Sequence, residues 1–257
     1  MKLRAVGDPV NIVCMRWGTR HPVLYVNKLY QMVQRRLKKP FNFYCITDEA
    51  DELLPGILKI PMPEMHIASD QAFVDWCKLG VFSPEMPFKG QVLFLDLDVV
   101  LLDNIDCFFQ YKGQFRIIES WSQPGKGVGD AAVFCFDAGK HHGIFEAYMQ
   151  DPRDIMTSYD SVQHFLSVAV GQGRLHYWPN TWCRSFKRHC LSKWLRFREA
   201  SFPYAAKILV FQGNPKPHHA IEGSWPGLLP ARMKPVSWLE SYWSEAPRMT
   251  HKRRRAS

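Results

Sequence analysis

Apolar residues along this chain follow two rhythms. Short runs at Ile12–Met15, Phe41–Thr47 and Ile57–Ile60 have strand length and are rich in β-branched and aromatic residues. Between the first two, Val23, Val26, Tyr30, Val33 and Leu37 recur every three to four positions. That spacing predicts an amphipathic helix over Pro22–Lys38, opened by Pro and closed by a basic last turn. Strand, helix, strand in this order predicts a parallel sheet with a right-handed crossover. Further helices are predicted at Asp70–Phe82, ended by Pro84, at Lys140–Met149, at Ser161–Val170 and at Trp238–Ser244. Further strands are predicted at Val92–Asp98, Phe115–Ile118, Ala131–Phe136 and Ile208–Phe211, and Pro215, Pro217 and Pro226 predict a loop after the last. With no internal repeat and no long linker, the pattern describes one α/β domain with a mostly parallel central sheet and a less regular C-terminal third. The domain is expected over 1–235, with a short helix and basic tail over 236–257.

One strand breaks its own pattern. Val92-Leu93-Phe94-Leu95-Asp96-Leu97-Asp98-Val99-Val100 places two carboxylates inside an apolar run. Asp is depleted in strands, and period-2 alternation would set Asp96 and Asp98 on one face. Adjacent carboxylates repel unless positive charge lies between them, and a hard divalent cation bridging to phosphate would supply it. Ligands of open α/β sheets sit beyond the carboxyl ends of strands. Asp96 and Asp98 come at such an end, as do Trp17-Gly18 and Asp48.

Composition narrows the setting. The chain has 257 residues, 46% of them hydrophobic, which suits a packed core rather than disorder. No apolar stretch approaches the ~20 residues of a bilayer-spanning helix, and Met1–Val10 lacks the apolar core of a signal peptide. The seven cysteines include no C-x-x-C pair, which argues against structural zinc and fits a reducing compartment. A cytoplasmic protein is expected. The net charge of +9 concentrates in Arg35–Lys39, Arg184–Arg198 and the tail Lys252–Arg255. No nucleic-acid recognition motif surrounds these clusters, so no nucleic-acid partner is expected. Solvated faces are the plain reading, and peripheral contact of the tail with anionic membrane at the inner face is the sharper one.

Three chemistries fit the carboxylate pair. It can be turn or cap residues. It can resemble the first motif of haloacid dehalogenase-type phosphatases, with Asp96 as nucleophile and Asp98 as acid/base. Against that stand the long segment before it, Val99 in place of the usual Gly, and no late acidic pair. Or it can hold a metal against the diphosphate of a nucleotide sugar.

The third reading is joined by an ordered set of motifs. Cys14-Met15-Arg16-Trp17-Gly18-Thr19 with Tyr25–Tyr30, Phe43–Asp48, Cys77–Pro84, Leu95–Val100 and Phe211-Gln212-Gly213-Asn214-Pro215-Lys216-Pro217 together resemble glycosyltransferase family 8 and its close bacterial relatives. The resemblance runs from about Asn11 to His218. It implies a single GT-A-type, Rossmann-like domain and retaining, metal-dependent transfer of a sugar from a UDP-linked donor to a glycan, lipid-linked or protein acceptor. It implies Mn²⁺ or Mg²⁺ on Asp96 and Asp98, with Gln212 as third ligand. Lys78 and Lys216 would face phosphate, with Gly213 admitting the backbone close to it. Trp17, Gly18 and Asp48 would shape the nucleotide pocket, and Asp130 and Gln163 would face the sugar. No residue is assigned as catalytic nucleophile. Asp130 reads equally well as a turn residue, whereas for the Lys216 loop the place of the motif after an apolar strand outweighs the plain reading as solvated surface.

Two positions depart from the family. Gln212 stands where His is common, with His218 or His219 as candidate substitutes. The family's Asp-Gln pair is here Val162-Gln163, with Asp160 two residues earlier. These departures keep open a weakened or non-catalytic sugar-nucleotide-binding relative.

Overall fold

The computed structural model describes residues 8–49, 52–65, 71–171, 173–192, 198–227 and 232–244. Its strands are β1 (Val10–Arg16), β2 (Phe41–Thr47), β3 (Ile57–Ile60), β4 (Gln91–Leu95), β5 (Val99–Leu101), β6 (Phe115–Glu119), β7 (Gly129–Asp137), β8 (Leu175–Tyr177), β9 (Cys183–Ser185) and β10 (Ile208–Val210). Its α-helices are α1 (Val23–Arg36), α2 (His142–Gln150), α3 (Pro152–Ser158), α4 (Val162–Val170), α5 (Pro217–Glu222) and α6 (Glu240–Trp243).

A seven-stranded sheet runs in the order β3-β2-β1-β4-β7-β6-β8. All its pairings are parallel except those of β7, which lies antiparallel to both β4 and β6. The sheet is covered on both faces, so the middles of its central strands are runs of apolar residues rather than alternating, with polar residues such as Arg16, Gln91 and Asp137 at their ends. Ile12, Val13 and Cys14 of β1 are wholly buried, and every residue of β7 is buried. On one face α1 packs Tyr25, Val26, Leu29, Met32 and Val33 into a core shared with β5, β10 and α6. The inward stripe is therefore turned from the predicted one, with Leu29 and Met32 inside and Tyr30 at its edge. Val236, Leu239 and Trp243, near the C-terminal end, belong to the same core. On the other face α2, α4 and the 3-10 segment Gln71–Phe82 enclose a second core around Phe82, Phe94, Phe134 and Phe136.

The predicted strand Val92–Asp98 is corrected. β4 stops at Leu95, Asp96-Leu97-Asp98 turns, and β5 leaves for a second sheet. In that sheet β10 lies between β5, antiparallel, and β9, parallel. Two distant backbone bonds hold the turn. Asp96 N–H donates to Ala132 O at 2.9 Å, and Phe211 N–H donates to Asp98 O at 3.1 Å.

Other expectations need adjustment. The helix expected at Asp70–Phe82 is a 3-10 segment from Gln71, and residue 70 lies outside the described residues. The loop expected after β10 contains α5, because Pro217 stands at a first helical position, where its missing N–H costs nothing. Helix α3 and the three-residue strands β5, β8 and β9 were not predicted. No helix among the described residues is long and apolar enough to cross a membrane. The tail Lys252–Arg255, and residues 193–197 of the Arg184–Arg198 cluster, lie outside the described residues.

Candidate active site

The strand order fixes where a ligand can enter. The chain moves outward from β1 to β2 and β3, then returns to the other side of β1 as β4. The crevice beyond the carboxyl ends of β1 and β4 is thus a topological switch point. A cavity of about 460 Å³ opens there, lined by Trp17, Lys78, Asp96, Asp98, Asp130, Gln163, Gln212, Gly213 and Lys216 among others. That volume suits a small organic ligand. Because β7 is antiparallel to β4, its starting residues Asp130–Ala132 reach the same crevice.

Gly18 and Asp48 do not line the cavity; they brace its wall. Gly18, at φ 55°, donates its N–H to both Asp48 carboxylate oxygens at 3.1 and 3.0 Å. The bonds tie the ends of β1 and β2 and hold the loop that presents Trp17, which is 36% exposed.

Each carboxylate of the turn already has a cation. Lys78 Nζ lies 2.7 Å from Asp96 Oδ1 and also donates to the Ala131 carbonyl at 3.0 Å. Lys216 Nζ lies 2.5 Å from Asp98 Oδ2, with the two side chains only 18% and 13% exposed. Burial pushes the Asp96 carboxyl up; Lys78 opposes this, and Asp98 adds to it. Two shielded ion pairs side by side recover their desolvation only with good geometry. An anion entering the cavity would compete with the carboxylates for the lysines.

Asp130 is 5% exposed. Its Oδ1 accepts from Ala132 N at 3.0 Å, and its Oδ2 accepts from Gln212 Nε2. Burial raises its carboxyl to about 6, against the pull of the Ala132 N–H. The Gln212 carbonyl oxygen in turn accepts from Ser185 Oγ at 3.4 Å.

Gln163 lies in the first turn of α4, whose N-cap Ser161 accepts from His164 N at 3.4 Å. Val162 is buried in the second core, so its position carries no polar group into the cavity. Asp160 reaches only the mouth: its side chain is 93% exposed, with His164 at 4.0 Å. His218 and His219 sit on α5 and are engaged elsewhere. His218 Nδ1 meets Tyr25 Oη at 2.5 Å, and His219 Nδ1 accepts from Lys216 N at 3.1 Å.

Among the described residues, no group of three His, Cys, Asp or Glu could hold a metal ion. The oxygen donors at the crevice include Asp96, Asp98 and the Gln212 amide, with Asp130 hydrogen-bonded to the last. Each of Asp96 and Asp98 already draws an ammonium group to itself. This hard-oxygen set fits Mg²⁺ or Mn²⁺ if phosphate oxygens complete the shell.

Several lining residues were not foreseen. Arg20 pairs with Asp75 at 2.6 Å at the cavity edge. His21 is pushed down to about 4 by burial and by Lys216 and Arg20. Both follow Trp17-Gly18 at the end of β1, and that position was the signal that could have placed them at the cavity.

The sequence matches no protein-family model and no curated relative. Solved structures share the fold. The galactosyltransferase LgtC, crystallised with donor and acceptor sugar analogues, is similar at TM-score 0.57 and 14% identity, covering 81% of this chain and 89% of that one. The glycosyltransferase GlyE of Streptococcus pneumoniae TIGR4 is similar at TM-score 0.56 and 13% identity, over 81% of this chain and 56% of that one. The bifunctional glycosyltransferase WbbM gives TM-score 0.56 and 11% identity, over 84% of this chain and 48% of that one. The chain therefore spans about half the length of GlyE and WbbM. The fold is the GT-A type that the motifs implied.

Proposed function

We propose that this protein is a glycosyltransferase that moves a sugar from a UDP-linked donor to a hydroxyl of a glycan, lipid-linked or protein acceptor. The reaction breaks the bond between the anomeric carbon and the diphosphate oxygen. It forms a bond to the acceptor oxygen, whose proton is lost. The observation that carries the reading is the pair of shielded Asp–Lys contacts at the switch-point cavity. Both signs of charge are held there in the pattern a cation–diphosphate complex needs.

In this reading Asp96 and Asp98 hold Mn²⁺ or Mg²⁺, with Gln212 as a third oxygen donor. When bound, the ion offsets charge on the leaving nucleoside diphosphate. Lys78 and Lys216, released from the carboxylates, turn to the phosphate oxygens and stabilise the same charge. Trp17 offers a flat face to the base, and the Gly18–Asp48 brace keeps it in place. Asp130 and Gln163 face the sugar hydroxyls. Retention of configuration is implied by the family resemblance, and no covalent nucleophile is assigned. Seven free thiols suit a cytoplasmic setting, and the basic tail offers contact with an anionic membrane face.

Calorimetric titration of UDP, with and without Mn²⁺, tests this on wild type and Asp98→Ala. Metal-enhanced binding lost in the variant is expected. No binding of any nucleoside diphosphate by wild type would end the reading. A second reading, a binding protein with little turnover, is favoured by the buried Val162 and the Gln212–Asp130 bond. Full UDP affinity without hydrolysis or transfer of any UDP-sugar would support it instead.

A further inference from the structure

The geometry points to Lys187 as a third phosphate-binding lysine, placed over Gly213 to receive the diphosphate of the ligand. This inference rests on the donor reading above and extends it to a residue outside the resembling motifs.

Two strands bring the pieces together. β9 and β10 run parallel, with Ser185 beside Val210. The segments that follow them therefore leave in the same direction: Phe186-Lys187 from one and Phe211-Gln212-Gly213 from the other. Phe186 and Phe211 stack with ring centroids 4.5 Å apart at 17°, and neither is more than 1% exposed. A buried aromatic stack locks the next residues on both chains in register. After Phe186 the backbone makes one π-helical turn, Phe186–Cys190, closed by Ser185 N–H donating to His189 Nδ1 at 2.9 Å. Outside, His189 packs edge-on against Trp121 at 5.7 Å. The Lys187 backbone is thus fixed, and only its long side chain is free to adjust.

That side chain reaches Gly213. A Cβ built on Gly213 would meet Lys187 Nζ at 3.7 Å, with nothing else within 4 Å. Gly213 holds φ 66°, so its side-chain direction is empty and points at an ammonium group. Burial lowers the Lys187 amine, Lys216 and Arg188 lower it further, and Asp98 acts in the other direction. Crowding of like charge at a rim is relieved when an anion arrives.

The charge count distinguishes this lysine from its neighbours. Lys78 and Lys216 each neutralise one carboxylate. Among the described residues, no carboxylate lies within ion-pair distance of Lys187. It is the cation of this group not committed to protein. If a metal occupies the carboxylates, all three lysines become available to two phosphates; if none does, Lys187 alone carries the surplus.

The test is calorimetry on the full chain with UDP, inorganic pyrophosphate and uridine, for wild type, Lys187→Met and Lys187→Arg. Lys187→Met is expected to weaken UDP and pyrophosphate about tenfold, the loss of one charge-assisted hydrogen bond. Uridine affinity and thermal midpoint should not move, and Lys187→Arg should restore most of the binding. Equal UDP and pyrophosphate affinities in wild type and Lys187→Met would overturn the inference. Wild type that binds pyrophosphate but not UDP would refute the UDP donor, leaving Lys187 to be judged on pyrophosphate. Wild type that binds neither refutes both.

Discussion

Asp130→Asn is expected to stabilise the fold at neutral pH and to leave it unchanged near pH 4. The Asp130 carboxyl rises from 3.8 to about 6 on folding, mainly through burial, with the Asp96 charge adding to the rise. Between those values the native state binds more protons than the unfolded state. Stability therefore falls as pH rises through this window, and the loss is complete above it. A rise of about two units at 1.36 kcal/mol each is about 3 kcal/mol. An amide at this position carries no charge to desolvate. Its oxygen can accept from Ala132 N, and its N–H can donate to Gln212 once that amide turns over, leaving Gln212 Nε2 for Ser185 Oγ. The variant should thus exceed wild type by up to about 3 kcal/mol at pH 7.5, roughly 2–4 °C in Tm for each kcal/mol. Urea unfolding of both proteins at pH 4, 5, 6 and 7.5 measures the gap directly. A gap that is the same at every pH, or an Asp130→Asn variant less stable than wild type at pH 7.5, refutes the reasoning. Keeping Asp against this cost suggests that the carboxylate serves the ligand, so donor kcat/KM should fall as stability rises.

Gly129→Ala would set a Cβ 2.6 Å from Ile117 Cδ1; overpacking of about 1–3 kcal/mol is expected, and Ile117→Ala in the same chain should recover part of it in a double-mutant cycle. Phe211→Ala removes one ring of the buried stack and should cost about 3–5 kcal/mol in chemical denaturation; it should also loosen Gln212-Gly213, so unchanged UDP affinity in the folded variant would contradict the proposed coupling. Gln212→His should raise Mn²⁺ affinity tenfold or more in a metal titration, because imidazole suits Mn²⁺ better than a neutral amide, and unaltered affinity would remove position 212 from the metal site.

How far the sequence could be read depended on how local the cause was. β2 and β3 begin and end where their apolar runs do, bounded by Asp48 and Pro61. α4 begins after Ser161, a cap visible as such in the sequence. By contrast, β5, β8 and β9 have three residues each, too few to show a period. β9 exists because β10 lies beside it, and β10 comes more than twenty residues later. Pro217 was read as a breaker when it is a starter, since a proline is compatible with either role. Among the candidate site residues, Trp17, Lys78, Gln163 and Lys216 were named from motif order, and all four line the switch-point cavity. Lys187 was hidden within a basic stretch whose plain reading was a solvated face.

The carboxylate pair shows why alternation could not settle its own geometry. A continued strand would have put Asp96 and Asp98 on one face of a single sheet, against a packed core. Instead the strand ends at Leu95, and each Asp is held by a different partner sheet: Asp96 through Ala132 of β7, Asp98 through Phe211 beyond β10. Leu97, between them, is buried at 3% exposure and anchors the turn in the core under α1. The two carboxylates thus face one cavity from the seam between two sheets, where lysines from opposite ends of the chain can reach them. Local composition determined that the charges needed partners. Only the meeting of β4, β7 and β10 determined which partners these are, and the parallel β9 and β10 bring Lys187 beside Gly213.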